Sequence, residues 1–111
     1  MQRIAVPVMD NLLSTHFGHC QEFHLFDVEN KEIKNISKEV PPPHEPGILP
    51  KWLHEQGATD VISGGMGQRA IRIFNDQKIN VYVGAPIEEP EKLVKDFLSG
   101  HLPTTANMCS H

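Results

Sequence analysis

The fold is decided by a short stretch that runs from a buried strand through glycines towards a helix, Asp60-Val61-Ile62-Ser63-Gly64-Gly65-Met66-Gly67. Val61 and Ile62 form the apolar centre of the strand, and the helix is predicted from about residue 68 to residue 76. A second strand follows over residues 79–83. A strand, a helix and a strand in this order form a right-handed crossover, which makes the two strands parallel.

The segment before this unit predicts a meander of three strands. Residues 4–9 are nearly all apolar, which suits a strand that is buried on both faces. Residues 23–28 alternate in polarity, and a weaker third strand over residues 32–40 follows a tight turn. Because Pro7 cannot donate a hydrogen bond to a sheet, we expect irregular pairing at that position. Residues 10–21 are predicted to be a loop.

Three helices complete the predicted fold. The first is opened by Pro50 and ends near Gly57, the second follows the glycine turn, and the third ends at Gly100. The simplest arrangement is an α/β, ribonuclease H-like five-stranded mixed sheet of order 3-2-1-4-5, in which strand 2 is antiparallel. Residues 1–100 are predicted to form this single domain, and residues 101–111 a flexible C-terminal tail.

Composition narrows the class of protein. The chain has 111 residues, 39% of them hydrophobic, and a formal net charge of -4, whereas a general nucleic-acid binder should be basic. No apolar run approaches the roughly 20 residues of a membrane helix. We therefore expect neither nucleic acid nor membrane as a partner. Two cysteines and no hydrophobic leader predict a cytoplasmic protein with reduced thiols.

Soft metal ligands are concentrated after the first strand, in the run His16-Phe17-Gly18-His19-Cys20. Imidazole and thiolate suit zinc, copper and iron clusters, and Gly18 would allow a turn that brings the three donors together. The alternative is a polar loop with one buried thiol and two solvated imidazoles.

The glycine turn is a second candidate site. Glycines let the backbone approach a ligand closely, and the N–H groups at the start of the following helix attract an anion. Arg69 would add positive charge, and Met66 would offer a thioether. The alternative is a tight turn that serves only the packing of helix on sheet. The turn is not a nucleotide-binding Walker loop, because no Gly-Lys-Ser/Thr follows it.

Two further segments carry potential ligands. His44 stands in a proline-rich loop whose stiffness would hold it in place, or it is simply an exposed histidine. Cys109 and His111 at the end of the chain could chelate a metal if the tail folds back, or they belong to a disordered tail. His24 and His54 are predicted to be ordinary strand and helix residues.

The topology brings these segments together. The loops that leave strands 1, 3, 4 and 5 emerge at the same edge of the predicted sheet. The loops after strands 1 and 3 start roughly 10 Å apart, since strand 2 lies between them. Strands 1 and 4 are neighbours whose connections diverge, which makes a crevice of the kind that binds ligands in open α/β sheets.

Several long motifs occur in one order along the whole chain: Ile4-Ala5-Val6-Pro7, His16-Phe17-Gly18-His19-Cys20 with Phe23, Pro41-Pro42-Pro43-His44-Glu45-Pro46-Gly47, Gly64-Gly65-Met66-Gly67-Gln68-Arg69-Ala70, Val83-Gly84-Ala85-Pro86 and Cys109-Ser110-His111. Through them the chain resembles the dinitrogenase iron-molybdenum cofactor biosynthesis family, small proteins that bind and carry molybdenum-iron clusters. The resemblance implies binding of a molybdenum-iron or iron-sulfur-type cluster without catalysis. It implies the donor and acceptor proteins of that cluster as partners.

The residues and the resemblance together define a site hypothesis. The predicted metal ligands are Cys20 first, then His16 and His44, with His19, Cys109 and His111 completing the set. The predicted cofactor-binding residues are Gly64, Gly65, Met66, Gly67 and Arg69. Because the ligands must be deprotonated, we expect binding to weaken below about pH 6.

Two other functions remain open on sequence grounds. The chain could be a plain divalent-metal module, holding a single transition-metal ion, or a protein-partner module. A ribonuclease H-type nuclease is disfavoured, because it needs carboxylates clustered on the central strands, and Asp60 lies at the far end of strand 4. The sequence leaves the oligomeric state open.

Overall fold

The computed structural model describes residues 2–14, 20–42, 48–102 and the backbone of 105–106. The strands in these ranges are β1 (Gln2–Met9), β2 (Leu12–Leu13), β3 (Glu22–Glu29), β4 (Glu32–Glu39), β5 (Asp60–Ile62), β6 (Asn80–Val83) and β7 (Thr105–Ala106). The helices are α1 (Ile48–Glu55), α2 (Gln68–Asp76) and α3 (Pro90–Leu98). No helix within the described ranges is long and apolar enough to cross a membrane.

All the strands belong to one mixed sheet. Its neighbours follow the order β4-β3-β1-β5-β6-β7, and β2 pairs with β1 beside this path. β3 is antiparallel to β1 and β4, whereas β5 is parallel to both β1 and β6. The five predicted strands are therefore present with these pairings. The predicted total of five is too low, because β2 and β7 also join the sheet.

The loop predicted over residues 10–21 contains the first of these additions. Asp10 and Asn11 have φ angles of 53° and 67°, and they join β1 to β2 in a two-residue hairpin. Two consecutive positive φ angles define the turn whose twist matches that of paired strands. Asn30 and Lys31 do the same between β3 and β4, with φ angles of 53° and 63°. The tight turn expected there is thus present.

Pro7 lies where β1 changes partner. The carbonyl oxygens of Arg3 and Pro7 accept hydrogen bonds on one side of β1, from the N–H groups of Thr59 and Ser14. Pairing with β5 includes Ala5 but not Pro7, and pairing with β2 begins at Val8. The nitrogen of Pro7 thus falls between two partner strands, where the missing N–H costs the sheet no hydrogen bond. Pairing with β3 continues through Pro7 and Phe23 without a register shift, so the irregularity expected from the sequence occurs only on the side of β5 and β2.

Each face of the sheet has its own hydrophobic core. On one face, Leu49 and Leu53 of α1 and Phe74 of α2 pack against Ala5 and Val61. On the other face, α3 covers the alternate side chains of the same strands. Its residues Leu93 and Val94 pack there against Ile4, Val6 and Ile62. This alternation explains why β1 and β5 are apolar throughout.

The sheet edge opposite the loops is held by a buried carboxylate. Asp60 is 2% exposed and accepts hydrogen bonds from the side chains of Gln2, Thr59 and Asn80 at 3.3, 2.6 and 3.4 Å. These donors tie β1, β5 and β6 together at their N-terminal ends. Asp60 therefore lies far from the loops that carry the candidate site, as its place in the sequence indicates.

The segment predicted to be a flexible tail contains β7. Thr105 and Ala106 pair antiparallel with Val83 and Tyr82 at the end of β6. At Ala106 the chain is therefore heading away from the edge at which β6 ends. The boundary at residue 100 stays a prediction.

Candidate functional site

One edge of the sheet collects the loops that carry the predicted site, and we call it the loop edge. β1, β5 and β6 are parallel, and β4 has the same direction because β3 runs against both β1 and β4. The described residues of these loops are 10–14, 20–21, 40–42, 63–67 and 84–89. His16, His19, His44, Cys109 and His111 lie outside the described residues, so their roles stay predictions.

Cys20 lies at the loop edge, just before β3. It is half-buried and packs against the core cluster that α1 and α2 form on their face of the sheet. This burial raises the pKa of the Cys20 thiol from 9.0 to about 11, and the backbone hydrogen bonds of Cys20 and Val8 oppose the shift without cancelling it. The predicted metal ligand is the thiolate form of Cys20, and this burial disfavours that form.

The glycine turn is held by the loop that follows β6. The carbonyl oxygens of Ser63 and Gly64 accept hydrogen bonds from the N–H groups of Ala85 and Gly84 at 3.2 and 3.0 Å. The Ser63 hydroxyl donates to the carbonyl oxygen of Gly65 at 2.9 Å. The turn is therefore a fixed backbone structure rather than a loose connection.

Met66 connects the glycine turn to the core. It is half-buried and packs against the same cluster of the α1 and α2 face that Cys20 contacts. The glycine turn and the thiol thus lie on the same face of the sheet, at the same edge. This placement agrees with both interpretations of Met66, as a residue that fills the core and as a thioether ligand. The half-buried side chain packs against the core on one side and is accessible on the other.

The start of α2 presents free backbone donors to solvent. Gly67 is the N-cap, no side chain caps the helix, and the first turn contains no acidic residue. The first hydrogen bond of the helix runs from the N–H of Ile71 to the carbonyl oxygen of Gly67 at 3.1 Å. Arg69 is exposed and forms no ion pair within the described ranges. Such a helix start is electrostatically suited to an anion.

Gly67 allows a clean test of this helix start. Its φ is −70°, and a Cβ atom built on it would meet no atom within 4 Å. We therefore expect Gly67→Val to lower the free energy of unfolding by no more than about 1 kcal/mol, the difference between a fair and a poor N-cap. The free energy of anion or cluster binding should weaken by more than this, because the valine side chain shields the backbone N–H donors. Urea unfolding and a binding titration on one preparation give both values.

An equal loss of stability and of affinity in Gly67→Val would show that the glycine serves packing alone. Gly100→Val is the matched control for substitution of a glycine, because it lies at the end of α3 in open space. Its φ of +81° makes that variant strained, so it should lose stability without losing affinity.

The described residues do not form a complete metal site. No group of three or more His, Cys, Asp or Glu side chains in the described ranges is placed to hold a metal ion. A metal bound by Cys20 would therefore take its other ligands from the predicted histidines of residues 15–19 and 43–47, or from the cargo itself. His24 is buried with its Nε2 2.8 Å from a carboxylate oxygen of Glu22, and His54 is exposed on α1.

A groove on the described surface lies elsewhere. It has a volume of about 920 Å³ and separates β4 from α3, with Ile33, Ile36 and Leu98 among its lining residues. This groove begins at the β3–β4 turn, at the opposite end of the strands from the loop edge. It is therefore not part of the candidate site.

Ser63 is a residue of the site that sequence reasoning missed. The sequence presents it only as the last residue of a buried strand, and it is 0% exposed. A polar residue between an apolar strand and a glycine turn was the available signal, because a buried hydroxyl needs a hydrogen-bond partner.

Comparison with known proteins agrees with the motifs. Residues 1–100 match the family model described as dinitrogenase iron-molybdenum cofactor. An uncharacterized protein of Methanocaldococcus jannaschii, MJ0580, is 33% identical over an alignment of 109 residues, and the match covers 92% of this chain and 90% of that protein.

Two solved structures show the same architecture. The crystal structure of PH0822 has a TM-score of 0.87 and 33% sequence identity, and the match covers 93% of this chain and 94% of that one. The apo form of the orange protein from Desulfovibrio gigas has a TM-score of 0.80 and 25% identity, covering 96% and 95% of the two chains. With the family model matched over residues 1–100, these likenesses show that the chain belongs to the dinitrogenase iron-molybdenum cofactor family.

Proposed function

We propose that this protein binds and carries an anionic metal cluster of the molybdenum-iron or iron-sulfur type at the loop edge, without catalysing a reaction. The observation that carries the proposal is the placement of Cys20 and Met66 against one core cluster. A soft thiol and a glycine turn with an unprotected helix start thereby share one face and one edge. The family description, which names the iron-molybdenum cofactor, supports this choice of cargo.

The two parts of the site have complementary roles in this proposal. Cys20 supplies a thiolate to a metal of the cluster, because thiolate is the strongest protein ligand for soft metals. The glycine turn and Arg69 hold the negative charge of the cluster through backbone N–H groups and a guanidinium. His16, His19 and His44 complete the ligand set, and Cys109 and His111 join them if the tail reaches the site.

The proposal includes the protein's partners and place of action. A carrier needs one protein that delivers the cluster and another that accepts it, and both must reach the loop edge. An oxygen-sensitive cargo with thiolate ligation suits the reducing cytoplasm. A nuclease role has no support here, because the buried Asp60 lies at the opposite edge and is occupied by three side-chain donors.

The test is a binding titration of protein purified without oxygen. An iron-sulfur cluster is reconstituted on the wild type, and its absorption is compared with that of Cys20→Ser, His16→Ala and the exposed control His54→Ala. Loss of one metal ligand should weaken binding at least about tenfold in the first two variants. The control should bind like the wild type.

Two outcomes would contradict parts of the proposal. If Cys20→Ser and His16→Ala both bind like the wild type, the ligand assignment is wrong and this loop is structural. If the wild type takes up a single zinc ion but no cluster under the same conditions, the protein is a divalent-metal module instead.

A further inference from the structure

Ser63 is the buried polar residue nearest to the glycine turn. Its side chain is completely buried, and its hydroxyl donates to the carbonyl oxygen of Gly65 at 2.9 Å. Its own backbone is fully engaged, since its N–H donates to Tyr82 and its carbonyl accepts from Ala85. The residue is therefore fixed at both backbone and side chain, and it holds the turn from within the protein.

The bond from Ser63 sets the direction of a peptide group. A trans peptide is planar, so its N–H points opposite to its carbonyl. Because the Gly65 carbonyl is drawn towards the buried hydroxyl, the N–H of Met66 must point the opposite way, out of the turn. No hydrogen bond from that N–H to another backbone group is present in the described part of the chain.

The preceding peptide is fixed in the same manner. The Gly64 carbonyl accepts from the N–H of Gly84, which lies at the end of β6. The N–H of Gly65 therefore points away from β6, and in the sheet order this is the side of β5 on which β1 lies. The crevice expected from the topology, between the connections that follow β1 and β5, is on that side.

We propose that Ser63 is a positioning residue that aims the N–H groups of the glycine turn at the anionic cargo. The inference rests on the function proposed above and concerns the same site. Ser63 does not touch the cargo; it acts through the Gly65–Met66 peptide. Donors that are held in the binding geometry before the ligand arrives lose little conformational entropy on binding, which is why such a bond should affect affinity.

The experiment uses molybdate, a small anion of fixed shape, as the probe. Wild-type protein labelled with ¹⁵N is titrated with molybdate, and the amide signals of Gly65 and Met66 are followed by NMR. The same titration is done on Ser63→Ala and on Asn80→Ala, which loses one side-chain hydrogen bond to Asp60 at the opposite edge. Thermal unfolding of all three proteins reports what each substitution costs in stability.

We expect molybdate to shift both amides in the wild type. Ser63→Ala should raise the molybdate Kd by about three- to tenfold, the equivalent of one hydrogen bond. Asn80→Ala should lose a similar amount of thermal stability and keep the wild-type Kd. If Ser63 had a purely structural role, Ser63→Ala would lower thermal stability and leave the molybdate Kd unchanged. The Kd therefore distinguishes a positioning role from a structural one.

Two results would overturn the inference. If Ser63→Ala and Asn80→Ala bind molybdate equally well, Ser63 supports the fold and does not position donors, while the proposed carrier function stands. If molybdate leaves the Gly65 and Met66 amides unmoved although the wild type takes up an iron-sulfur cluster, the cargo is held elsewhere and the inference is wrong. If neither molybdate nor a cluster binds, the proposed function fails and this inference fails with it.

Discussion

Replacement of Phe23 with alanine is expected to lower the free energy of unfolding by about 3–5 kcal/mol, the usual cost of removing a fully buried aromatic ring. Phe23 is 0% exposed and belongs to the core cluster that Cys20 and Met66 contact. A domain of this size has a total stability of roughly 5–15 kcal/mol, so the variant should lie near the limit of folding. Urea unfolding gives the value.

Trp52 provides a local signal for the same experiment. Its ring centroid lies 5.6 Å from that of Phe23. In the folded Phe23→Ala variant, the ring of Trp52 becomes more exposed to solvent, so its fluorescence spectrum should shift. Val40→Ala is the control, because Val40 is 76% exposed and its loss should change stability by less than about 0.5 kcal/mol. A loss below about 1 kcal/mol in Phe23→Ala would contradict the packing described for this face.

The second large effect concerns the reactivity of Cys20. A thiol with a pKa of about 11 rather than 9.0 has about a hundredfold less thiolate at pH 8, and thiolate is the reacting form. In a Cys109→Ser background, iodoacetamide should therefore modify Cys20 in the folded protein about a hundredfold more slowly than in urea. Mass spectrometry of the time course gives both rates.

The pH dependence of this reaction provides the check on its cause. The folded-state rate should keep rising between pH 9 and pH 11, whereas the rate in urea should level off near pH 9. A folded-state rate that levels off at pH 9 as well would show that Cys20 is only shielded and that its pKa is ordinary.

The raised pKa of Cys20 also affects stability, because it favours the protonated thiol in the folded protein. Its contribution to stability is therefore complete below about pH 9 and is lost as the pH rises towards 11.

The raised pKa also changes the expectation for cluster binding. Metal must displace the thiol proton, so protons compete with the metal at every pH below about 11. The weakening of binding should therefore begin well above the limit of pH 6 expected from the sequence. A bound metal overcomes this competition only because the metal–thiolate bond is strong.

Local pattern was sufficient for much of the fold. The crossover from β5 through α2 to β6 follows from a short apolar run, glycines and a helical segment, all within residues 60–83. The hairpin between β3 and β4 follows from a tight turn between two strands. These features are determined by residues that lie close together in the sequence, so the local sequence pattern is enough to predict them.

The two short strands could not be predicted from the hydrophobic pattern of the sequence. β2 and β7 have two residues each, which is too few for any periodicity to be recognised. For β2, the dipeptide Asp10-Asn11 between apolar residues was the available sign, because both residue types tolerate positive φ. β7 has no such sign, since its partner β6 is separated from it in the chain by the whole of α3.

The sequence by itself determined the family, the crossover topology and the set of strands that end at one edge of the sheet. Only the tertiary structure decided the state of Cys20, the bond of Ser63 to Gly65 and the change of partner at Pro7. The physical reason is that these properties depend on groups distant in the chain. The pKa of Cys20 is raised by a core to which α1 and α2 contribute, the glycine turn is held by Gly84 and Ala85, and Pro7 is tolerated because β5 and β2 leave a gap beside it.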